Sequence, residues 1–342
     1  MKHIYLFTSN FPFGKGENFI EDEVLIAPDN NYRVTIIPMK RSGSIRKIPD
    51  FIAIDSSLAN KFYRYIINTI LSCAWIKELL ILCKSSRRPH NIKEWSDALK
   101  YIIGSQITKL HIKTMNLKDG DILYSYWFNH IARGLIEGKS KYHSKKNIKI
   151  ITRAHRYDLY EEFGTYFPFK KDTIYKLDKV FCISQDGYDY LYQKYNVNCL
   201  DVSRLGVWKP TLPLPTKQDS IIRIVSCSAI SPIKRVDLIY KCIRDYAIQN
   251  PQCSLEWAHF GDGDLMHEIK KLCSVCPANL SVKLYGFIPK KEIMECYGKI
   301  PFDIFVNLSE SEGIPVSIME AMSYGIPTIA TLVVYSINHL RY

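Results

Sequence analysis

Residues 304–331 read IFVNLSESEGIPVSIMEAMSYGIPTIAT, and this stretch decides the fold. The run 304–307 is β-branched and aromatic, which predicts a strand. Glu312-Gly313-Ile314-Pro315 then makes a turn, and Pro315 suits the first turn of a helix beginning near Val316. Gly325-Ile326-Pro327 stops that helix ahead of a second strand at 328–331. Strand, loop, helix and strand in this order make a βαβ unit with a parallel sheet. The loop lies at the carboxyl end of its strand, where such sheets bind ligands. Gly313 permits close backbone approach, and the free N–H groups at the positive end of the next helix suit a phosphate. Glu312 falls in the loop, where a carboxylate can hold sugar hydroxyls. Glu320 falls two turns into the helix, where one can accept both hydroxyls of a ribose. As an isolated pair, the two acids read more readily as a helix N-terminal acid and a solvated face than as ligand contacts.

The same alternation runs outward through the chain. Strands are expected at 3–8, 33–38, 122–126, 149–152 and 179–183, then at 223–227, 254–260, 282–285, 304–307 and 328–331. Helix-length segments fall between them, among them 91–115, 185–195, 236–248, 265–272, 291–297 and 317–324. The stretch Lys209-Pro-Thr-Leu-Pro-Leu-Pro215 continues neither a helix nor a central strand and reads as a stiff linker. The expected organisation is a doubly wound domain over 1–207, a linker over 208–215 and a second doubly wound domain over 216–342, with the ligand in the cleft between them.

Composition agrees with two globular domains: 342 residues, 47% hydrophobic and 23% charged, which excludes a disordered chain, a collagen-like repeat and a small disulfide scaffold. Lys+Arg 46 against Asp+Glu 34 leaves +12, suited to an anionic partner. The charge is spread, with one denser stretch at 139–156, rather than gathered in the stripe or tail of a nucleic-acid binder, so no nucleic acid is expected. The ten cysteines are scattered, many inside apolar runs; Cys273 and Cys276 form a C-x-x-C with no second ligand pair, so reduced thiols and no metal are expected. Two D-x-D strings, 119–121 and 262–264, read as turn chemistry. Met1-Lys2 and the apolar run 4–7 read as a strand rather than a signal peptide. The segment 62–83 reads as one helix. It is too interrupted to span a bilayer, and either half-buried or lying at a lipid interface.

Glu312 and Glu320 form an E-x7-E pattern, and 312–331 resembles the signature of retaining GT-B glycosyltransferases of family four, in their exopolysaccharide and lipopolysaccharide branch. Other segments match in order: FPFGKGE (11–17), TRAHRYD (152–158), VSRLGV (202–207), IVSCSAISPIKRVD (224–237), FGDGDL (260–265) and Tyr285-Gly286-Phe287. The region 41–115 and the last eleven residues lie outside the resemblance. The resemblance implies two Rossmann-like domains and sugar transfer from a nucleotide-sugar, a co-substrate, with no cofactor and no metal. It implies a glycan acceptor that is lipid-linked, at the inner face of the cytoplasmic membrane, where the basic charge and the 62–83 helix favour anionic lipid.

Among residues, the resemblance gives Lys234 the donor diphosphate, with Arg235 as a second charge, Ala229 standing where many members have Arg. Glu312, His155 and Lys234 are the expected catalytic set, His155 as a donor-sugar contact at a strand's carboxyl end. Gly286, Phe287, Glu312, Gly313, Ile314, Pro315, Val316 and Glu320 are expected to bind the donor; Gly14, Gly16, Glu17 and Asp158 are expected to serve the acceptor or to position their loop. Two alternatives stand beside this. Family members continue past 331 with a Gly-rich turn, an acidic residue and further βα units, whereas 332–342 reads LVVYSINHLRY, so a truncated, inactive glycosyltransferase-like protein that at most binds nucleotide is the alternative. A dinucleotide oxidoreductase is disfavoured because Met266 stands at the third glycine position of G-x-G-x-x-G.

Overall fold

The structure is a computed structural model that describes all residues except 1, 15, 18, 27–30, 73, 85–87, 161–165, 211–213 and 334–342. The chain divides into two units, Met1–Arg204 and Leu205–Tyr342. Part of the expected linker (211–213) and most of the expected truncated tail lie outside the described residues.

The first unit runs β1 (Lys2–Thr8), α1 (Phe19–Leu25), β2 (Tyr32–Pro38), β3 (Ala53–Ile54), α2 (Ser57–Asn60), α3 (Phe62–Leu71), α4 (Ala74–Cys83), α5 (Ile92–Ile112), β4 (Ile122–Ser125), α6 (His130–Tyr142), β5 (Lys149–Ala154), α7 (Arg156–Leu159), α8 (Lys170–Ile174), β6 (Lys179–Cys182), α9 (Gln185–Tyr195) and β7 (Leu200–Val202). Its seven strands lie in the order β3-β2-β1-β4-β5-β6-β7, and every pairing is parallel. The second unit runs β8 (Ile222–Cys227), α10 (Val236–Gln249), β9 (Leu255–Phe260), α11 (Met266–Cys273), β10 (Leu280–Gly286), α12 (Lys290–Lys299), β11 (Ile304–Asn307), α13 (Val316–Ser323) and β12 (Thr328–Ala330), with a parallel sheet ordered β10-β9-β8-β11-β12. Strand centres are apolar on both faces because helices cover both; Phe7, Ile36, Leu123, Val225, Trp257 and Phe305 are fully or almost fully buried.

All ten strands expected from sequence are present. The two-residue β3 and three-residue β7 carry too little pattern to be read. In each sheet the winding direction reverses beside the first strand: β1 pairs with β2 on one side and β4 on the other, and β8 pairs with β9 and β11. At such a point the loops leaving the two central strands part in opposite directions, and the crevice at their carboxyl ends is where doubly wound sheets take ligands.

Two helical expectations change. The expected single helix over 62–83 is two helices, with a 65° bend between Phe62–Leu71 and Trp75–Cys83. The Ser72 hydroxyl donates to the Thr69 carbonyl (2.8 Å), a local bond that competes with the helix ladder where α3 ends. Among the described residues no single helix is long and apolar enough to cross a membrane. The second change is α6, a helix that was not among the segments expected from sequence. A Cβ at Gly134 would lie 2.5 Å from both the Ser105 carbonyl oxygen and Thr108 Cβ, so this glycine is where α6 presses its backbone onto α5.

Candidate functional site

In the second unit the crevice between β8 and β11 brings Lys234 beside Glu312, whereas Gly286 and Phe287 stand at the end of the edge strand β10, two positions from β8. After β8 a single 3₁₀ turn, Pro232–Lys234, presents Lys234; Arg235 follows in the left-handed conformation (φ 51°) and caps α10. After β11 the loop 308–315 carries Glu312. Lys234 Nζ donates to both carboxylate oxygens of Glu312 at 2.7 Å each, and Glu312 Oε1 also accepts from Asn307 Nδ2 at 3.1 Å. Asn307 is itself fixed, since its Oδ1 accepts the Ser309 N–H (2.9 Å). Burial pushes the Glu312 carboxyl up, but the Lys234 ammonium and the hydrogen bonds from Lys234 and Asn307 outweigh it and hold the group below the usual carboxylate range. Glu312 is therefore an anion beside a cation in a largely buried place. Arg235 Nε lies 3.9 Å from Glu310, with Arg235 half-buried and Glu310 largely in solvent.

α13 begins at Val316 directly after Pro315. Its N-terminus offers fewer free donors than the sequence suggests. The Val316 N–H donates to the Ile314 carbonyl (2.9 Å) and the Ile318 N–H to the Pro315 carbonyl (3.0 Å). Glu320 is buried on α13 and forms an ion pair with Lys290 (3.0 Å), so it does not lie on a solvated face. Gly286 ends β10 with φ +69°, nothing stands within 4 Å of where its Cβ would be, and Phe287 is part-exposed.

The G-x-G turn at 261–263 serves packing. A Cβ at Gly261 would lie 1.8 Å from the Ser228 carbonyl oxygen and one at Gly263 2.3 Å from that of Ile230, so these glycines let the loop after β9 lie on the loop after β8. Three of the four aspartates of the D-x-D strings accept backbone N–H groups: Asp121 from Lys118 and Asp262 from Gly263 locally, and Asp119 from the more distant Asn147. Among the described residues, no group of three or more His, Cys, Asp or Glu side chains is placed to share a metal ion. The Cys276 thiol donates to the Cys273 carbonyl (3.3 Å) at the end of α11.

In the first unit the crevice between β1 and β4 holds the other expected residues. Glu17, itself in the left-handed conformation (φ 58°), accepts the backbone N–H groups of Ser9 (3.1 Å), Asn10 (2.9 Å) and Phe11 (2.7 Å) and the indole N–H of Trp127 (2.6 Å). Those four donors make Glu17 the anchor of the loop after β1. Arg46 clamps the same loop, donating to the carbonyls of Gly14 (2.8 Å) and Gly16 while pairing with Glu21 (2.9 Å). Gly14 has φ +69° and a Cβ there would meet the Ser42 carbonyl oxygen at 2.7 Å, whereas Gly16 faces open space.

His155 follows β5 and is buried among rings: its centroid lies 4.5 Å from that of Trp127, 5.1 Å from Tyr126 and 5.6 Å from Phe19. Burial and the nearby Arg153 guanidinium push its pKa down to about 3, so the ring is neutral at physiological pH. Neither ring nitrogen has a hydrogen-bond partner among the described residues. Leaving a buried polar group unpaired costs about 1–3 kcal/mol. Asp158 is wholly buried. It accepts the N–H groups of Phe128 and His155, both at 2.6 Å, and so ties the loop after β4 to the loop after β5. Burial pushes its carboxyl up to about 7 against the pull of Lys170. Asp158 and Glu17 thus act on their loops. Sequence reading missed Trp127, Asn307, Lys290 and Arg46; Asn307 directly precedes the quoted loop, which is the one signal that pointed to any of them.

Two parallel doubly wound units, each with polar side chains at the switch point of its sheet, define the GT-B class of fold. Residues 215–340, most of the second unit, match the family described as Glycosyl transferases group 1. The amylovoran biosynthesis glycosyltransferase AmsK of Erwinia amylovora is 27% identical over 138 residues, 39% of this chain and 33% of AmsK, so the match spans about a third of that relative's length. Among solved structures, S. aureus TarM, as a point mutant in complex with fondaparinux, alpha-GlcNAc-glycerol and UDP, superposes with a TM-score of 0.66 at 14% identity over 99% of this chain and 87% of its own. The lipopolysaccharide outer core galactosyltransferase WaaB in its apo form does so with a TM-score of 0.58 at 16% identity, over 96% of this chain and 80% of its own. At these identities the likeness is one of fold.

Proposed function

We propose that this chain transfers a sugar from a nucleoside diphosphate sugar to a hydroxyl of a growing, lipid-linked glycan in cell-surface polysaccharide biosynthesis, with retention of anomeric configuration and without a metal. The observation that carries the reading is the Lys234–Glu312 pair at the switch point between β8 and β11, beside the start of α13. Among the described residues, Glu312 occupies two of the three N–H donors of Lys234 Nζ, which leaves one for an incoming oxygen. A diphosphate at the end of α13 takes that donor and draws the ammonium further toward itself. As the bond from the anomeric carbon to the diphosphate oxygen lengthens, negative charge grows on the leaving group, and Lys234 stabilises it in a place with little water. Glu312, released in part, is a carboxylate held in position by Asn307 and free to accept sugar hydroxyls. Glu320 takes the ribose hydroxyls, its carboxylate positioned by the ion pair with Lys290. For His155 the role is a hydrogen bond between an unpartnered ring nitrogen and a sugar hydroxyl.

The AmsK match, with its name in amylovoran biosynthesis, supports the polysaccharide assignment, and the UDP in the TarM complex supports a nucleotide donor. A hydrolysis screen across nucleotide-sugars, in buffer with EDTA, tests the proposal. Release of nucleoside diphosphate from one donor, lost in Lys234→Ala, is the expected result; silence across all donors, or activity abolished by EDTA alone, contradicts it.

A further inference from the structure

We propose that the outer faces of α3 and α4 form a docking surface for an anionic bilayer. Both helices pack on α5 through one side. Tyr65 and Thr69 are the buried residues of α3, and Glu78 and Leu82 are buried on α4. The opposite sides carry large apolar residues in solvent at helical spacing: Tyr63 (81% exposed), Ile67 (56%) and Ile70 on α3, and Ile76, Leu80 (57%) and Ile81 on α4. Six such residues on two ten-residue helices are far more than scattered surface apolar groups explain.

Charge selects the partner. Lys61, Arg64, Lys77 and Lys84 are exposed around this face. The one acid between residues 57 and 84 is Glu78, and it is turned inward, where it accepts from Gln106 and pairs with Arg133 (3.2 Å). The face is therefore apolar in its middle and cationic at its margin, with its one carboxylate withdrawn. Long basic side chains can lay their stems on an apolar surface and keep their charges at the headgroups. A second copy of the chain meeting this face about a two-fold axis would bring the same cations together without counter-charges, whereas anionic headgroups neutralise them. Each ten-residue helix is about 15 Å long, half of the roughly 30 Å hydrocarbon thickness, so neither helix spans a bilayer by itself, and the two are bent by 65° relative to each other. Trp75 donates its indole N–H to the Ile70 carbonyl (3.2 Å), tying the helices across the bend. The geometry suits helices lying in the interface plane. The surface lies outside the family match at 215–340, and it needs no part of the transfer chemistry proposed above.

The test is flotation of the full chain with phosphatidylglycerol-containing vesicles and with neutral phosphatidylcholine vesicles, at low salt and without donor or acceptor. The expected result is binding to the anionic vesicles well above the neutral ones. The bound fraction falls by about tenfold or more in Ile67→Ser/Leu80→Ser and in Arg64→Glu/Lys77→Glu. Because the substituted side chains are exposed, both variants keep the parent Tm. Three results overturn the proposal: no flotation with anionic vesicles at low salt, equal flotation of parent and both variants, or a lipid-free dimer that Ile67→Ser/Leu80→Ser dissolves. Failure here leaves the hydrolysis screen unaffected, and a chain that floats but hydrolyses no donor leaves this surface standing.

Discussion

Lys234 and Glu312 hold each other at 2.7 Å in the second unit, so on the function proposed above an arriving diphosphate would have to compete with that pair. Removing the ammonium takes away charge stabilisation when the leaving group forms, so Lys234→Ala should lower turnover by about 10²–10³; steady-state kinetics on the active donor measures this. Asn307→Ala is a subtler probe. It strips Glu312 of one donor and the Ser309 N–H of its acceptor. The expected outcome is a loss of about 1–3 kcal/mol in stability together with a fall in kcat, read from thermal melts and kinetics side by side. His155 gives a pH signature. Its ring stays neutral down to about pH 3, so it adds no acid limb near pH 6.5 to the rate of nucleotide-sugar hydrolysis; a limb there that disappears in His155→Gln would contradict its burial. Of these residues the sequence showed the chemistry-bearing ones, since Glu312, Glu320, Lys234 and His155 sit in recognisable runs. It did not show their supports. Trp127, Lys290 and Arg46 reach their partners across 110, 30 and 30–32 positions, and no local spacing encodes such contacts.

Elements follow the same division. The strands were legible because buried parallel strands are short β-branched runs between breakers, and 304–307 falls where it was expected. α6 was obscured because Gly134, a poor helix former, is there for contact rather than for a turn. Gly134→Ala places a methyl against the Ser105 carbonyl oxygen and Thr108 of α5. Overpacking of this kind costs about 1–3 kcal/mol, so a lowered Tm is expected although Ala has the better helix propensity; an unchanged or raised Tm would show that the two helices can separate freely. The 62–83 segment misled in the opposite way. Its apolar residues are continuous enough for one helix, but a side-chain bond at Ser72 and separate packing of the two halves on α5 divide it.

At the scale of the whole molecule, four histidines among the described residues are held neutral, three of them buried and His130 half-buried: His111, His130 and His259 have pKa values pushed down to about 4, and His155 to about 3, in each case first by burial. An unfolded histidine takes up a proton near pH 6.5 and these folded ones do not. From pH 6.5 down to about 4 the unfolded chain therefore binds more protons, and stability falls as pH falls. Glu78 and Asp158, whose carboxyls burial pushes up, act in the opposite sense, two groups against four. Calorimetric Tm should drop steadily between pH 6.5 and 4; a level Tm would mean that these imidazoles reach water. The excess of twelve positive charges is expected from sequence to suit an anionic partner, and on the two proposals above it would be met at Lys234, once a ligand draws it from Glu312, and at the cationic margin of α3 and α4. The central claim concerns the first. Isothermal titration of the parent chain and of Lys234→Ala with a panel of nucleoside diphosphates tests it most directly. Saturable binding of one of them, weakened by about tenfold or more in the variant, is the result this account predicts. No binding across the panel, or equal affinity in parent and variant, would contradict it.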